Sequence, residues 1–390
     1  MKRTQASIYA ISCSHGIMHA YLVLLPALIP LLGGELGNYE TIGLLASAVF
    51  LLYGWGSLPV GFLADRYSKK NLVIASMAIC GLSAIMVGQS RSFLLTALFL
   101  MALGAGASLY HAPGYASMAL LSLEMRGRYM GIQGMGGDMG MAVAYVTSAI
   151  LGSFLGWRNT FVVWGLIGVG MAILDHCLVV ESESSKNIEH VHGGYLSRVK
   201  AMFPSEHTKL LVLVLAIIVL SGALWNGVSA FILAYINQVK NIHLVIAGGL
   251  STISYTVGAV AQVIGGELSD KHGRRIILLL GFGVFAASLF FLTQTPGSTL
   301  LILLLVCLLG FTFYVTQSPL NALLGDISRK ENVGFAYGVN FGIKYGIGSF
   351  SPAIAGFIAT RYSMDHVFLF FASVSAVAFV LALLVRDVRK

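Results

Sequence analysis

The chain predicts an all-α membrane protein of twelve transmembrane helices in two pseudo-symmetric six-helix bundles, and three observations carry that prediction. Of its 390 residues, 57% are hydrophobic and 10% charged, with a mean hydropathy of +0.84, whereas a soluble domain carries roughly a quarter charged residues. Apolar segments of about 20 residues or more, each long enough to cross roughly 30 Å of hydrocarbon as a helix, follow one another from end to end. The stretch GFLADRYSKK at 61–70 returns as GGELSDKHGRR at 265–275. An apolar helix cannot carry Asp, Arg and Lys together into hydrocarbon, so each copy sits in water between two spans.

Charged, Gly and Pro punctuation divides the chain into spans at 7–32, 41–64, 71–89, 93–121, 130–155 and 159–180, then 209–237, 245–268, 275–294, 298–324, 333–359 and 364–386. The opening Met-Lys-Arg has the charge layout of a signal peptide. The apolar run behind it is too long, holds Pro26 and Pro30, and leads into eleven more spans, so it reads as an uncleaved first helix. A polar segment separates the sixth and seventh spans. Residues 1–180 therefore form an N-terminal bundle, 181–208 a cytoplasmic linker and 209–390 a C-terminal bundle.

With the N-terminus assigned to the cytoplasm, every second connection and the termini hold 19 Lys and Arg, against Arg91, Arg158, Lys240 and Arg361 on the other side. That bias places both termini in the cytoplasm and the protein in the cytoplasmic (inner) membrane. The net charge of +8 is thus topology rather than a nucleic-acid patch. Cys13, Cys80, Cys177 and Cys307 fall inside apolar segments without a C-x-x-C pair and read as small buried hydrophobes.

The repeat extends beyond the loops. Asp65 maps onto Asp270, Tyr110-His111-Ala112-Pro113 onto Thr316-Gln317-Ser318-Pro319, and Gly136, Asp138 and Gly140 onto Gly342, Lys344 and Gly346. Two parallel halves related by an axis along the membrane normal are the plan of a transporter that rocks about a central site.

These residues resemble the major facilitator superfamily. Its loop signature between the second and third spans is matched by Gly61, Leu63, Ala64, Asp65, Arg66, Lys69 and Lys70, with Ser68 in place of a Gly, and in the second copy by Gly266, Leu268, Asp270, Gly273, Arg274 and Arg275. Ser14-His15, GAGASLYHAPGYASMA at 104–119 and MGIQGMGGDMG at 130–140 are similar to the fosmidomycin-resistance branch of drug exporters. That branch tends to carry Asn-Asp after the first-span His, where this chain has Met18-His19. The resemblance implies that Asp65, Arg66, Asp270 and Arg274 are gating residues: Asp65 would latch onto the start of the eleventh span, and Asp270 onto that of the fifth near Tyr129. It also implies a cavity lined by spans one, four, seven and ten, helped by two, five, eight and eleven.

Polar residues inside a membrane are costly and so mark function. His15 and His19 share one helix face, and His15, His19, His111, Asp138, Tyr314, Gln317 and Lys344 all lie roughly 12–20 Å deep. With Trp225, Asn226 and Asn340 they are the candidate substrate-binding set; packing between helices is the competing role for a transmembrane His. Glycines at 334, 338, 342 and 346 give the eleventh span a smooth packing face, and Lys344 points away from it. Asp138 and Lys344 either pair across the axis or are each satisfied within their own half. Pro113, Gly114 and Pro319 break symmetry-related helices and read as hinges.

The expected function is secondary active transport of a small, anionic organic solute by alternating access, either coupled to protons through His or by anion exchange, which needs no proton carrier; the resemblance to the exporter branch implies efflux. The expected partners are this solute, protons and membrane lipid, with no nucleic acid, and the chain acts as a monomer. No cofactor or resident metal is expected, no G-x-x-x-x-G-K-[ST] is present, and no catalytic constellation marks an enzyme. The alternatives are a divalent-metal transporter with His15, His19, His111 and Asp138 as ligands, which Lys344 disfavours, and a non-transporting membrane sensor or scaffold.

Overall fold

The computed structural model describes residues 2–121, 126–181, 208–328 and 333–386; most of the expected linker lies outside the described residues. The first span is the helix Lys2–Leu28, closed by a 3-10 turn over Ile29–Leu31. The second and third are Tyr39–Arg66 and Lys69–Gln89. The helix Arg126–Leu178 holds the fifth and sixth spans, separated at Gly156, whose φ of +77° is a conformation that a side chain would strain. Thr208–Ala234 continues as a π-helical turn over Tyr235–Val239, followed by Leu244–His272 and Arg274–Gln294. The last span is Met364–Leu383.

Three spans are broken. The fourth runs as Phe93–Ser108 and His111–Leu121, and the tenth as Thr299–Val315 and Gln317–Ile327. Proline two residues into each second segment removes an N–H and crowds the preceding turn, which explains why both breaks fall at repeat-related positions. The eleventh runs as Val333–Gly346 and Ser351–Arg361 with a 3-10 turn at Gly348–Phe350.

Close approach between helices rests on glycine. Gly136 and Gly140 of the fifth span lie against the backbone of Ser12 and Gly16 in the first, and Gly222 of the seventh against the backbone of Lys344. Gly54 faces Tyr345 and Gly346, and Gly342 faces Leu58, so the glycine face expected on the eleventh span meets the second. Of the cysteines only Cys80 is fully buried, whereas Cys13 and Cys177 are exposed. This corrects the expectation: the outer face of a bundle is solvated by lipid, so an apolar segment need not bury a thiol inside the protein.

On the side away from the termini the halves are bonded to each other. Tyr39 donates to Gln238 (2.7 Å), the Glu40 N–H to Thr360 (2.9 Å), the Ala353 N–H to Ser47 (2.9 Å) and Tyr145 to the Ser229 carbonyl (2.8 Å). The same helix faces separate toward the termini. A side chain at Gly61, one turn beyond Leu58, or at Gly134 or Gly131, two and three turns beyond Ala142, would meet no described atom within 4 Å. Among the described residues, these three positions face open space.

Candidate functional site

In the N-terminal half the break in the fourth helix delivers His111 to the face that carries His15 and His19. The His15 and His19 Nε2 atoms each lie 3.4 Å from His111 Nε2. His15 Nδ1 is 2.6 Å from the Gln133 carbonyl. A carbonyl can only accept, so Nδ1 carries the proton and Nε2 presents a lone pair. The His15 ring stacks on Tyr110 at 5.2 Å between centroids, and the Tyr110 hydroxyl donates to the Ile11 carbonyl. Gly137 leaves room for His15: a Cβ there would come within 2.7 Å of the ring. The Tyr53 hydroxyl is 3.3 Å from His111 Nε2, and Phe341 of the other half lies 4.6 Å from the His111 ring. His15 is 2% exposed, and His19 and His111 are each 9% exposed; His19 Nδ1 has no partner.

In the C-terminal half the equivalent break presents Gln317. Its Nε2 donates to Thr316 Oγ1 (2.9 Å), the Phe313 carbonyl (3.2 Å) and Ser221 Oγ (3.3 Å), while its Oε1 accepts from Lys344 Nζ (2.6 Å). Lys344 also lies over the Tyr345 ring at 5.6 Å, a cation–π contact. Beside this pair Trp225, Tyr255 and Tyr314 line a cavity of ≈ 50 Å³ within the half; Trp225 stacks on Phe313, and the Tyr314 hydroxyl has no partner.

Asp138 and Lys344 do not form an ion pair among the described residues. Lys344 is satisfied within its own half by Gln317. Asp138 accepts no hydrogen bond among the described residues and directly follows Gly137, whose neighbour is the His15 ring. Asn226 is fully buried with both side-chain polar atoms unpartnered. Asn340 donates to Asn321 (3.0 Å) in an exposed pair and stands apart from Lys344 and Gln317 in its bonding.

Of the gating set, Arg274 donates to Asp270 (2.8 Å) and Asp326 (3.3 Å), fastening the eighth, ninth and tenth helices. Arg66 is exposed at the end of the second helix. The Asp65 side chain, and with it the expected latch to the eleventh span, lies outside the described residues. The first loop copy is tied to its own half: Ser68 and the Lys69 N–H donate to Glu181 (2.5 and 3.1 Å), and Lys70 to the His176 carbonyl (2.7 Å).

Tyr53, Tyr115, Gln133 and Asp175 belong to the site's surroundings and were not singled out in sequence. Asp175, fully buried, accepts from Ser14 Oγ at 2.6 Å, and its other oxygen is unpartnered. The test that found Asp138, a charge inside an apolar span, finds Asp175 equally. The tyrosines carry no such signal, because their rings read as hydrophobic.

A family model described as Major Facilitator Superfamily matches residues 11–351 and, in a second placement, 214–390. The probable sulfoacetate transporter SauU of Cupriavidus necator is 24% identical over 356 residues, covering 85% of this chain and 82% of that protein. The fosmidomycin resistance protein of Escherichia coli is 24% identical over 377 residues, covering 92% and 87%. A bacterial homolog of the human lysosomal transporter Spinster, in an inward-facing and unoccupied conformation, matches with a TM-score of 0.82 at 14% identity, covering 98% of this chain and 97% of that one.

Proposed function

The chain belongs to the Major Facilitator Superfamily, and on that premise we propose that it carries a small organic anion through the space between its halves, with Lys344 as the anion-binding cation. It is a multi-pass integral membrane protein and a secondary transporter, not an enzyme. The observation that carries the anionic substrate is that the Lys344 ammonium donates to a neutral amide, Gln317, and to no carboxylate among the described residues. A cation held away from water needs a counter-charge, and a carboxylate or sulfonate substrate supplies one. The similarity to a sulfoacetate transporter supports the same class.

In this reading the protein sits in the inner membrane with both termini in the cytoplasm, and the open space beside Gly61, Gly131 and Gly134 is the cytoplasmic mouth of the path. The direction is efflux, a reading that fits the similarity to a fosmidomycin resistance protein, and the coupling ion is the proton. Asp138, a carboxyl within the fifth span with no hydrogen bond among the described residues, carries the proton. The three clustered imidazoles are less suited, because like charges in contact oppose more than one protonation.

Reconstituted protein tests this. Labelled sulfoacetate should show counterflow in proteoliposomes, Lys344→Gln should abolish it, and Lys344→Arg should restore part of it. Counterflow of an organic cation with Lys344→Gln fully active would overturn the anionic reading.

A further inference from the structure

We propose that His15, His19 and His111 form a binding site for a zinc-class divalent ion, with a water or solute oxygen completing the tetrahedron. The inference goes beyond anion transport and does not depend on it.

Two observations converge. A tetrahedral ion bound by imidazole at about 2.0–2.1 Å needs nitrogens about 3.3–3.4 Å apart. The His15–His111 and His19–His111 Nε2 pairs are each at 3.4 Å, while the His15–His19 pair is wider, within 4.8 Å, so that ring pair would close on the ion. The His15 tautomer is set for metal: Nδ1–H is held by the Gln133 carbonyl and Nε2 is left as a lone pair, the second-shell arrangement that orients a ligating imidazole.

Hydrogen bonding alone does not satisfy this cluster. His111 Nε2 faces two other Nε2 atoms, and a single ring nitrogen either donates one hydrogen bond or accepts one. With His15 Nε2 already a lone pair, the neutral triad cannot make both contacts through one proton. One divalent ion at the centre turns all three lone pairs into bonds. His15 and His19 stand one helical turn apart and His111 comes from the broken fourth span, so the ion would clamp the first and fourth helices beside Phe341 of the opposite half.

The test uses the untagged full chain in detergent, with Zn2+ and Co2+ as probes. One Zn2+ per chain should bind by calorimetry, and Co2+ should give the intense visible bands of a tetrahedral nitrogen–oxygen site, displaced by Zn2+. His111→Ala and His19→Gln should each weaken binding by about 100-fold or more, since loss of even a second-shell partner costs roughly 10–100-fold. His366→Ala, at an exposed ring, should change nothing. If a His variant fails to fold, the Co2+ spectrum of the wild-type chain decides alone. Absence of tetrahedral bands, Co2+–thiolate charge-transfer bands, or full Zn2+ affinity in folded His111→Ala would each overturn the proposal.

Discussion

The two halves break their fourth helices at equivalent positions and fill the breaks with different chemistry. In the N-terminal half His111 meets two more imidazoles, ligand atoms with lone pairs to offer; in the C-terminal half Gln317 accepts from the Lys344 ammonium, a cation with no carboxylate partner among the described residues. The backbone repeat therefore builds two like frames, and side-chain identity divides the labour between cation and anion. This predicts a double dissociation. Lys344→Gln should lower anion counterflow by about 100-fold, the scale of losing one partner of a buried charged hydrogen bond, while leaving Zn2+ affinity unchanged. His111→Gln, which copies the C-terminal residue into the N-terminal frame, should do the reverse to Zn2+. If both readouts move together in both variants, the division of labour is wrong.

The surroundings of the two frames differ as well, and a smaller effect tests that. Gly137 leaves His15 its place, so Gly137→Ala should weaken Zn2+ binding by about 10-fold through displacement of one ligand ring. Gln317→Leu is the corresponding change opposite. It strips the Lys344 ammonium of its acceptor and should cost about 1–3 kcal/mol, read as a lower unfolding midpoint in detergent together with weaker counterflow. An unchanged midpoint would mean that Lys344 finds water or another acceptor. Asp138→Asn separates binding from coupling: accumulation driven by a pH gradient should vanish while counterflow persists, and loss of both would make Asp138 a substrate ligand instead.

How much of this was legible in the residues follows from which signals survive in an apolar chain. Charges and breakers do: the loop copies, Pro113, Pro319, Asp138 and Lys344 stood out because each is expensive in hydrocarbon. The matching of His111 with Gln317 by repeat placed both breaks correctly. What did not show was the partner of each polar group. Gln317 as the Lys344 acceptor, the Gln133 carbonyl that sets the His15 tautomer, and Tyr53 beside His111 depend on helix rotation, which an amphipathic pattern fixes in water but a uniformly apolar span leaves open. The cysteines show the same blindness from the other side, since lipid and protein interior look alike in composition.

The smallest effect concerns the rims away from the termini, where the repeat reaches one end by two routes. The third and ninth helices end at equivalent carbonyls, Ser90 and Thr295. Lys240 donates directly to Thr295 (2.9 Å) and Thr293 (3.1 Å), whereas Ser90 receives Arg158, which is in turn held by Glu35, the repeat counterpart of Lys240, at 2.8 Å. A cation at a helix C-terminus is favourable in both cases. Arg158 holds the Glu35 carboxyl below the usual carboxylate range through that hydrogen bond. A carboxyl whose folded-state pKa is depressed contributes stability above its unfolded value near 4.5 and loses it as pH falls through the folded value. Glu35 is half exposed, so solvent screening limits the term to about 0.5 kcal/mol or less. Glu35→Gln should therefore lower the unfolding midpoint by about 1 °C at pH 7, and the gap from wild type should close as the buffer falls below pH 4.5. A gap that persists in acid would assign Glu35 a packing role and leave Arg158 to cap the third helix unaided, as Lys240 caps the ninth.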